Sequence, residues 1–149
     1  MDTAEYEGLE ILSDDECHTL LEIGRIGRVA VTVGDVSVIF PVNYALLDGD
    51  IVFRTSSGTK LAAAMRRATV SFEVDRIDAV FEDGWSVLVV GTAVEVDDDK
   101  ELERVRGLEL RTWAEGPREH VVRIRADFLS GRRIVHPPRR AISDAAASA

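Results

Sequence analysis

The 149 residues predict a small closed antiparallel β-barrel of six strands with flanking helices, a mainly β member of the α+β class. Three observations predict it. Six segments are rich in β-branched residues, from RVAVTV (28–33) to HVVRIRADF (120–128). Tight turns, Gly34-Asp35 and Asp48-Gly49-Asp50, join the first three of them into a meander. Only two or three short helical patterns interrupt the strands, which leaves a barrel as the way to bury them.

Each element has its own signal. Residues 1–10 are polar and acidic and are expected to be poorly ordered. Ser13-Asp14-Asp15-Glu16 is a capping box, in which the Ser hydroxyl accepts from the third amide on and Glu16 reaches back. Cys17, Leu20 and Leu21 follow at helical spacing as far as Gly24. RVAVTV then leads through its turn into VSVIFPVNYALL (36–47), where Pro41 predicts a sheet edge or a bulge because it lacks an N–H. IVFRT (51–55) is the third strand, and the alanine-rich run from Gly58 to Arg67 predicts a short helix. TVSFEVDRI (69–77) is the fourth strand. GWSVLVVGTAVEV (84–96) is the fifth, with both faces expected to be covered at LVV. Gly91 within it predicts a bend or a close backbone approach. A charged helix is predicted from about Asp98, followed by a loop holding Trp113, Gly116 and Pro117 and then the sixth strand. The domain so defined spans residues 11–136, and residues 137–149 are expected to be a mobile tail.

Composition narrows the function. One domain of this length buries about two thirds of the surface its unfolded chain exposes. The net charge of −9 opposes a nucleic-acid partner, whose phosphates call for Lys and Arg, and the arginines present are scattered. No apolar run reaches the roughly 18 residues of a membrane span, and the acidic start lacks the features of a signal peptide. A single cysteine, Cys17, allows no internal disulfide. These features predict a cytoplasmic protein. The histidines, His18, His120 and His136, show no zinc spacing, and no nucleophile elbow is present. No catalytic residue or metal ligand stands out, so the chemistry is expected to belong to a bound cofactor.

Three polar clusters could hold one. In FRTSSGTKL (53–61), Phe53 ends a strand and Arg54, Thr55, Ser56, Gly58, Thr59 and Lys60 precede a helix. A guanidinium fork, hydroxyls, a lysine and a helix N-terminus suit a phosphate monoester. A capped loop with both cations in water explains the same residues equally well. In the second cluster, Val42-Asn43-Tyr44, the polar Asn43 lies in an otherwise apolar strand. It can serve a flat heteroaromatic ligand, or satisfy a bulge made by Pro41. In the third, Trp85 and Ser86 at a strand mouth can stack on a ligand or anchor an interface, or Trp85 can be core.

Taken in order, ILSDDECHTLLEIGRIGRVAV, FPVNYALLDGDIVFRTSSGTKL, GWSVLVVGTAVEV and VVRIRADFLSGRRI resemble the FMN-binding split-barrel family, the pyridoxamine 5′-phosphate oxidase-like proteins in their short actinobacterial form. The resemblance runs from about Leu12 to Ile134. It implies a six-stranded split barrel of the FMN-binding type, paired as a homodimer with two cofactor sites at the interface. In that pattern Arg54, Thr55 and Lys60 hold the FMN phosphate and Val42, Asn43 and Tyr44 lie along the flavin ring. Trp85 and Ser86 approach from the other subunit.

The ending GRRIVHPPRRAISDAAASA departs from the arginine- and histidine-bearing segment with which true pyridoxamine phosphate oxidases grip their substrate. The expected activity is therefore that of a flavin reductase or nitroreductase-like enzyme acting on a small organic substrate, with NADH or NADPH as a possible electron source. The same barrel using a deazaflavin coenzyme, and a non-catalytic flavin- or haem-binding protein, are the alternatives. For haem, His120 and His136 are the axial candidates.

Overall fold

The computed structural model describes residues 8–55, 59–108, 110 and 120–135, with the backbone alone for 59–61. These residues form eight strands and three helices. The strands are β1 (Leu9–Ile11), β2 (Ile26–Val33), β3 (Val36–Leu47), β4 (Asp50–Thr55), β5 (Thr69–Asp78), β6 (Asp83–Glu95), β7 (His120–Ile124) and β8 (Phe128–Ile134). The helices are α1 (Asp14–Ile23), α2 (Thr59–Met65) and α3 (Asp99–Arg106).

Strands β2, β3, β4, β7, β6 and β5 close into a six-stranded antiparallel ring, and β8 and β1 extend the sheet beyond β6. Strand β6 is where the barrel splits. Residues 85–90 pair with β8, residues 93–95 pair with β7, and β5 runs along the other side from residue 83 to residue 92. Gly91 stands at the changeover, where the carbonyl of Arg125 comes so close that a β-carbon would overlap it. That is the close approach its place in an apolar strand predicts.

Two differences from the sequence reading follow from this split. HVVRIRADF is not one strand, because the chain leaves the ladder after Ile124 and re-pairs from Phe128 as β8. The break is held by contacts distant in sequence: Arg125 N–H donates to the Thr92 carbonyl (3.1 Å), and Ala126 N–H donates to Asp50 Oδ1 (3.0 Å). In addition, Leu9 and Glu10, within the segment expected to be poorly ordered, pair with Ile134 and Arg133 as part of β1. The expected loop with Trp113, Gly116 and Pro117, and the tail 137–149, lie outside the described residues.

Local signals otherwise placed the elements. The capping box on α1 forms as predicted: Glu16 N–H donates to Ser13 Oγ (3.2 Å) and Ser13 N–H to Glu16 Oε2 (2.9 Å). Asp48 and Gly49 both have positive φ, the requirement of the two-residue hairpin turn best matched to strand twist. Asp98 caps α3. Val29, Phe53, Phe72, Val87, Val89 and Ile124 are fully buried inside the barrel. A second cluster, Leu47, Val52, Val96, Val105 and Val121, packs beneath α3 on the outside. Both faces of β6 are not covered equally: Val87 and Val89 are buried, while Leu88 and Val90 on the outer face are half-buried. No helix among the described residues is long and apolar enough to cross a membrane.

Candidate functional site

The site takes shape from an open edge of β3. This strand pairs with β2 along residues 36–43 but with β4 only along Tyr44–Leu47. Tyr44 N–H donates to the Arg25 carbonyl on the β2 side (3.0 Å). Alternation along an antiparallel strand then turns the backbone groups of Asn43, Pro41 and Ile39 to the other edge. Among the described residues no strand pairs there. Pro41 therefore sits where its missing N–H costs no ladder bond, on the edge that its ring predicted. What remains is a short row of amide donors and carbonyl acceptors at the end of the chain segment that carries Arg54.

Side-chain direction sorts the predicted residues. Val42, Tyr44 and Phe53 point into the barrel and are at most 5% exposed, so only their backbones can meet a ligand outside. The Tyr44 hydroxyl donates to the Leu21 carbonyl (2.7 Å), and burial pushes its pKa upward, keeping the phenol protonated. Asn43 and Arg54 alternate with these buried residues and face outward, both half-buried. Thr55 faces inward with His120, its register partner on β7, near Ala62, Met65 and Arg66 of the α2 end. Ser56 and Gly58 lie outside the described residues. Thr59 and Lys60 open α2.

Trp85 and Ser86 stand elsewhere. Trp85 is half-buried against the barrel core, beside an open depression lined by Arg76, Asp78 and Asp83. Ser86 faces outward on β6. Strands β2 and β5 lie between β6 and β3, so Ser86 and Asn43 stand three strands apart around the ring. Within one chain Asn43 and Arg54 flank the Tyr44–Phe53 pair on the outer face, and Trp85 and Ser86 stand apart on β6.

Two polar groupings were not legible as such in the sequence. On the outer face, Arg28 of β2 donates from Nε to Glu73 Oε2 (3.0 Å) and from Nη2 to Asp75 Oδ2 (2.5 Å). Burial first, then the neighbouring Asp75 carboxyl, pushes Glu73 up to about 7. Its hydrogen bond with Glu73, and then that with Arg28, holds Asp75 below the usual carboxylate range. Alternation alone predicted that Glu73 and Asp75 face outward, but β2 and β5 are not consecutive hairpin partners, so nothing local joined them to Arg28. The second grouping is at the inner mouth, where His120 Nδ1 lies 2.5 Å from Glu95 Oε1. Among the described residues no cluster of His, Cys, Asp and Glu is arranged to hold a metal ion.

Comparison with known proteins agrees with this architecture. A family model described as pyridoxamine 5′-phosphate oxidase matches residues 13–133. The FAD binding protein of Mycobacterium smegmatis is 39% identical, with 84% of this chain and 99% of that one covered and a TM-score of 0.74. A FAD-binding protein from Mesorhizobium loti is 26% identical over 84% of this chain and 97% of its own, with a TM-score of 0.71. The uncharacterized protein Rv0080 of Mycobacterium tuberculosis is 35% identical over 129 residues, 83% of this chain and 84% of that protein. With the match running from the helix cap at Ser13 to Arg133 on β8, the chain belongs to the pyridoxamine 5′-phosphate oxidase family and has its split-barrel fold.

Proposed function

We propose that this protein binds a flavin nucleotide, FMN in the first instance, and serves as a flavin-dependent oxidoreductase of the flavin reductase or nitroreductase type on a small organic substrate. The observation that carries the reading is the open edge of β3 beside Arg54. A flat ring with donor and acceptor edges fits the unpaired backbone groups of Ile39, Pro41 and Asn43, and Asn43 adds a side-chain amide. Arg54 suits the phosphate as a bidentate fork, with Lys60 at the start of α2 as a second cation. The binding of FAD by similar proteins from Mycobacterium smegmatis and Mesorhizobium loti supports a flavin of either length.

Bound flavin would supply the hydride transfer, with NADH or NADPH as the electron source. The chain's own contribution is to orient the ring along β3, anchor the phosphate and exclude water. Because Trp85 and Ser86 stand three strands from Asn43 around the ring, a second copy of the chain would complete the far wall of the site. The protein in this reading is a homodimer.

The test is an absorption spectrum of the purified protein and a melting curve with FMN, FAD or riboflavin added. A ligand at 100 times its Kd stabilises by about 2.7 kcal/mol, roughly a 5–10 °C rise in Tm for this length. A flavin band, or that rise with FMN or FAD, supports the reading; a colourless protein indifferent to all three overturns it. A shorter-wavelength band would indicate a deazaflavin instead. Haem is the second reading, favoured by His120, whose Nδ1 contact with Glu95 leaves Nε2 for a ligand. A Soret band lost in His120→Ala would establish it.

A further inference from the structure

Strands β5 and β6 run on past the rest of the sheet. Strand β2 last pairs with β5 at Glu73 and β8 last pairs with β6 at Trp85, so among the described residues Ile77 and Asp78 pair only with Gly84 and Asp83. Asp78 holds the tip of this hairpin: its Oδ1 accepts from Val80 N–H (2.9 Å) and Phe81 N–H (3.1 Å). Along the face that continues the barrel's inner side, the buried pair Val74 and Val87 is followed by Arg76 opposite Trp85, and then by Asp78 opposite Asp83. Strand rise sets successive rows about 7 Å apart. These last two rows border an open depression of about 450 Å³, a volume suited to a small molecule.

Three different recognition elements meet there. Trp85 packs against the barrel core and also borders the depression, so its indole is a fixed stacking surface. Neither Arg76 nor Asp83 has a side-chain hydrogen bond or ion pair among the described residues, whereas Arg28, Arg104 and Arg123 are all held by carboxylates. A guanidinium fork suits a diphosphate, and an indole suits a flat base. A carboxylate, which only accepts, suits the two hydroxyls of a ribose diol. Base, ribose and diphosphate are the parts of one end of a dinucleotide. The same carboxylates oppose a further phosphate on the ribose: Asp78, Glu82 and Asp83 crowd the tip, and Arg76 is the one cation among the described lining residues.

We infer that the depression at the end of the β5–β6 hairpin docks the adenosine end of NADH, and that its carboxylates select NADH over NADPH. Arg76 takes the diphosphate, Trp85 stacks on the adenine, and Asp83 accepts from the 2′- and 3′-hydroxyls of the ribose. The inference rests on the flavin reading proposed above and names its electron donor. In that reading Trp85 and Ser86 form the far wall of the flavin site in a second copy of the chain. The depression beside Trp85 then adjoins that site, and the nicotinamide end is left to meet the flavin.

Isothermal titration of the full chain with ADP-ribose and with 2′-phospho-ADP-ribose is the test. These probes carry the adenosine ends of NADH and NADPH and no reducing ring, so binding is read without turnover. ADP-ribose is expected to bind about tenfold more tightly than the 2′-phosphorylated probe, a preference that Asp83→Asn largely removes. Arg76→Ala and Trp85→Leu are each expected to weaken ADP-ribose about tenfold. Arg76 and Asp83 are exposed, so their variants keep the fold, and an unchanged Tm checks it. A chain that binds neither probe, one that prefers the 2′-phosphorylated probe, or wild-type affinities in Asp83→Asn and Arg76→Ala would each overturn the inference. Flavin is read separately, from the absorption spectrum. ADP-ribose binding by a chain that takes no flavin defeats the flavin reading alone, and a flavin-loaded chain indifferent to ADP-ribose defeats this inference alone.

Discussion

The carbonyl of Arg125 occupies the space that a side chain on Gly91 would need. That contact fixes where β6 leaves β8 for β7, so the split of the barrel depends on one absent methyl group. Gly91→Ala must push backbone against backbone, and the expected cost is at least about 2 kcal/mol, read as a lower urea midpoint at unchanged m-value.

The bond between Tyr44 and Leu21 makes a second prediction. Leu21 is in the last turn of α1, where carbonyls have no helical partner, and the Tyr44 hydroxyl satisfies this one from inside the barrel. Tyr44→Phe removes the donor and leaves a buried acceptor, at an expected cost of about 1–2 kcal/mol in chemical denaturation.

The Ser13 cap should behave as a local device. Ser13→Ala loses the bond to Glu16 N–H and is expected to lower stability by about 1 kcal/mol. A shift in Tm of about 2–4 °C is the corresponding readout.

Glu73 gives a pH dependence with a definite sign. Its folded-state value, about 7, lies above the ordinary 4.5, so the folded chain binds more protons between those limits. The contribution to stability is complete below about pH 4.5 and is lost as pH rises through about 7. With the side chain one-third exposed, solvent screening reduces the effect to about 1 kcal/mol. Monomeric protein should therefore lose about 2–4 °C of Tm between pH 5 and pH 8 from this group, and Glu73→Gln should remove that slope.

Arg54 separates phosphate binding from ring binding. Arg54→Ala is expected to weaken FMN about ten- to a hundredfold, the value of one charge-assisted bidentate contact, and to leave riboflavin affinity nearly unchanged. Isothermal titration with both ligands measures the difference.

Legibility in the sequence followed the range of the interaction. The capping box, the Asp48-Gly49 turn, the edge position of Pro41 and the tight approach at Gly91 are local chemistry, and the structure has each of them. The break after Ile124 was hidden because alternation continues through Arg125 to Phe128, while what stops the strand is Gly91 and Asp50, far away in sequence. At the site, residue types in VNY and FRT pointed to a ligand, but only strand direction showed that Asn43 and Arg54 share the outer face while Tyr44 and Phe53 are core. The Arg28 cluster needed the pairing of β2 with β5, which no turn connects.

An exposed strand edge is a template on which another molecule's backbone can crystallise strand by strand. The row along Ile39, Pro41 and Asn43 escapes this because its middle member offers a carbonyl and no amide. An incoming strand would meet a gap in the ladder and the bulk of a pyrrolidine ring, whereas a small planar molecule needs only the groups on either side. Pro41 thus lets the chain keep an edge open for a ligand without inviting fibrous self-addition, and Pro41→Thr would be expected to turn that edge into a seed for aggregation.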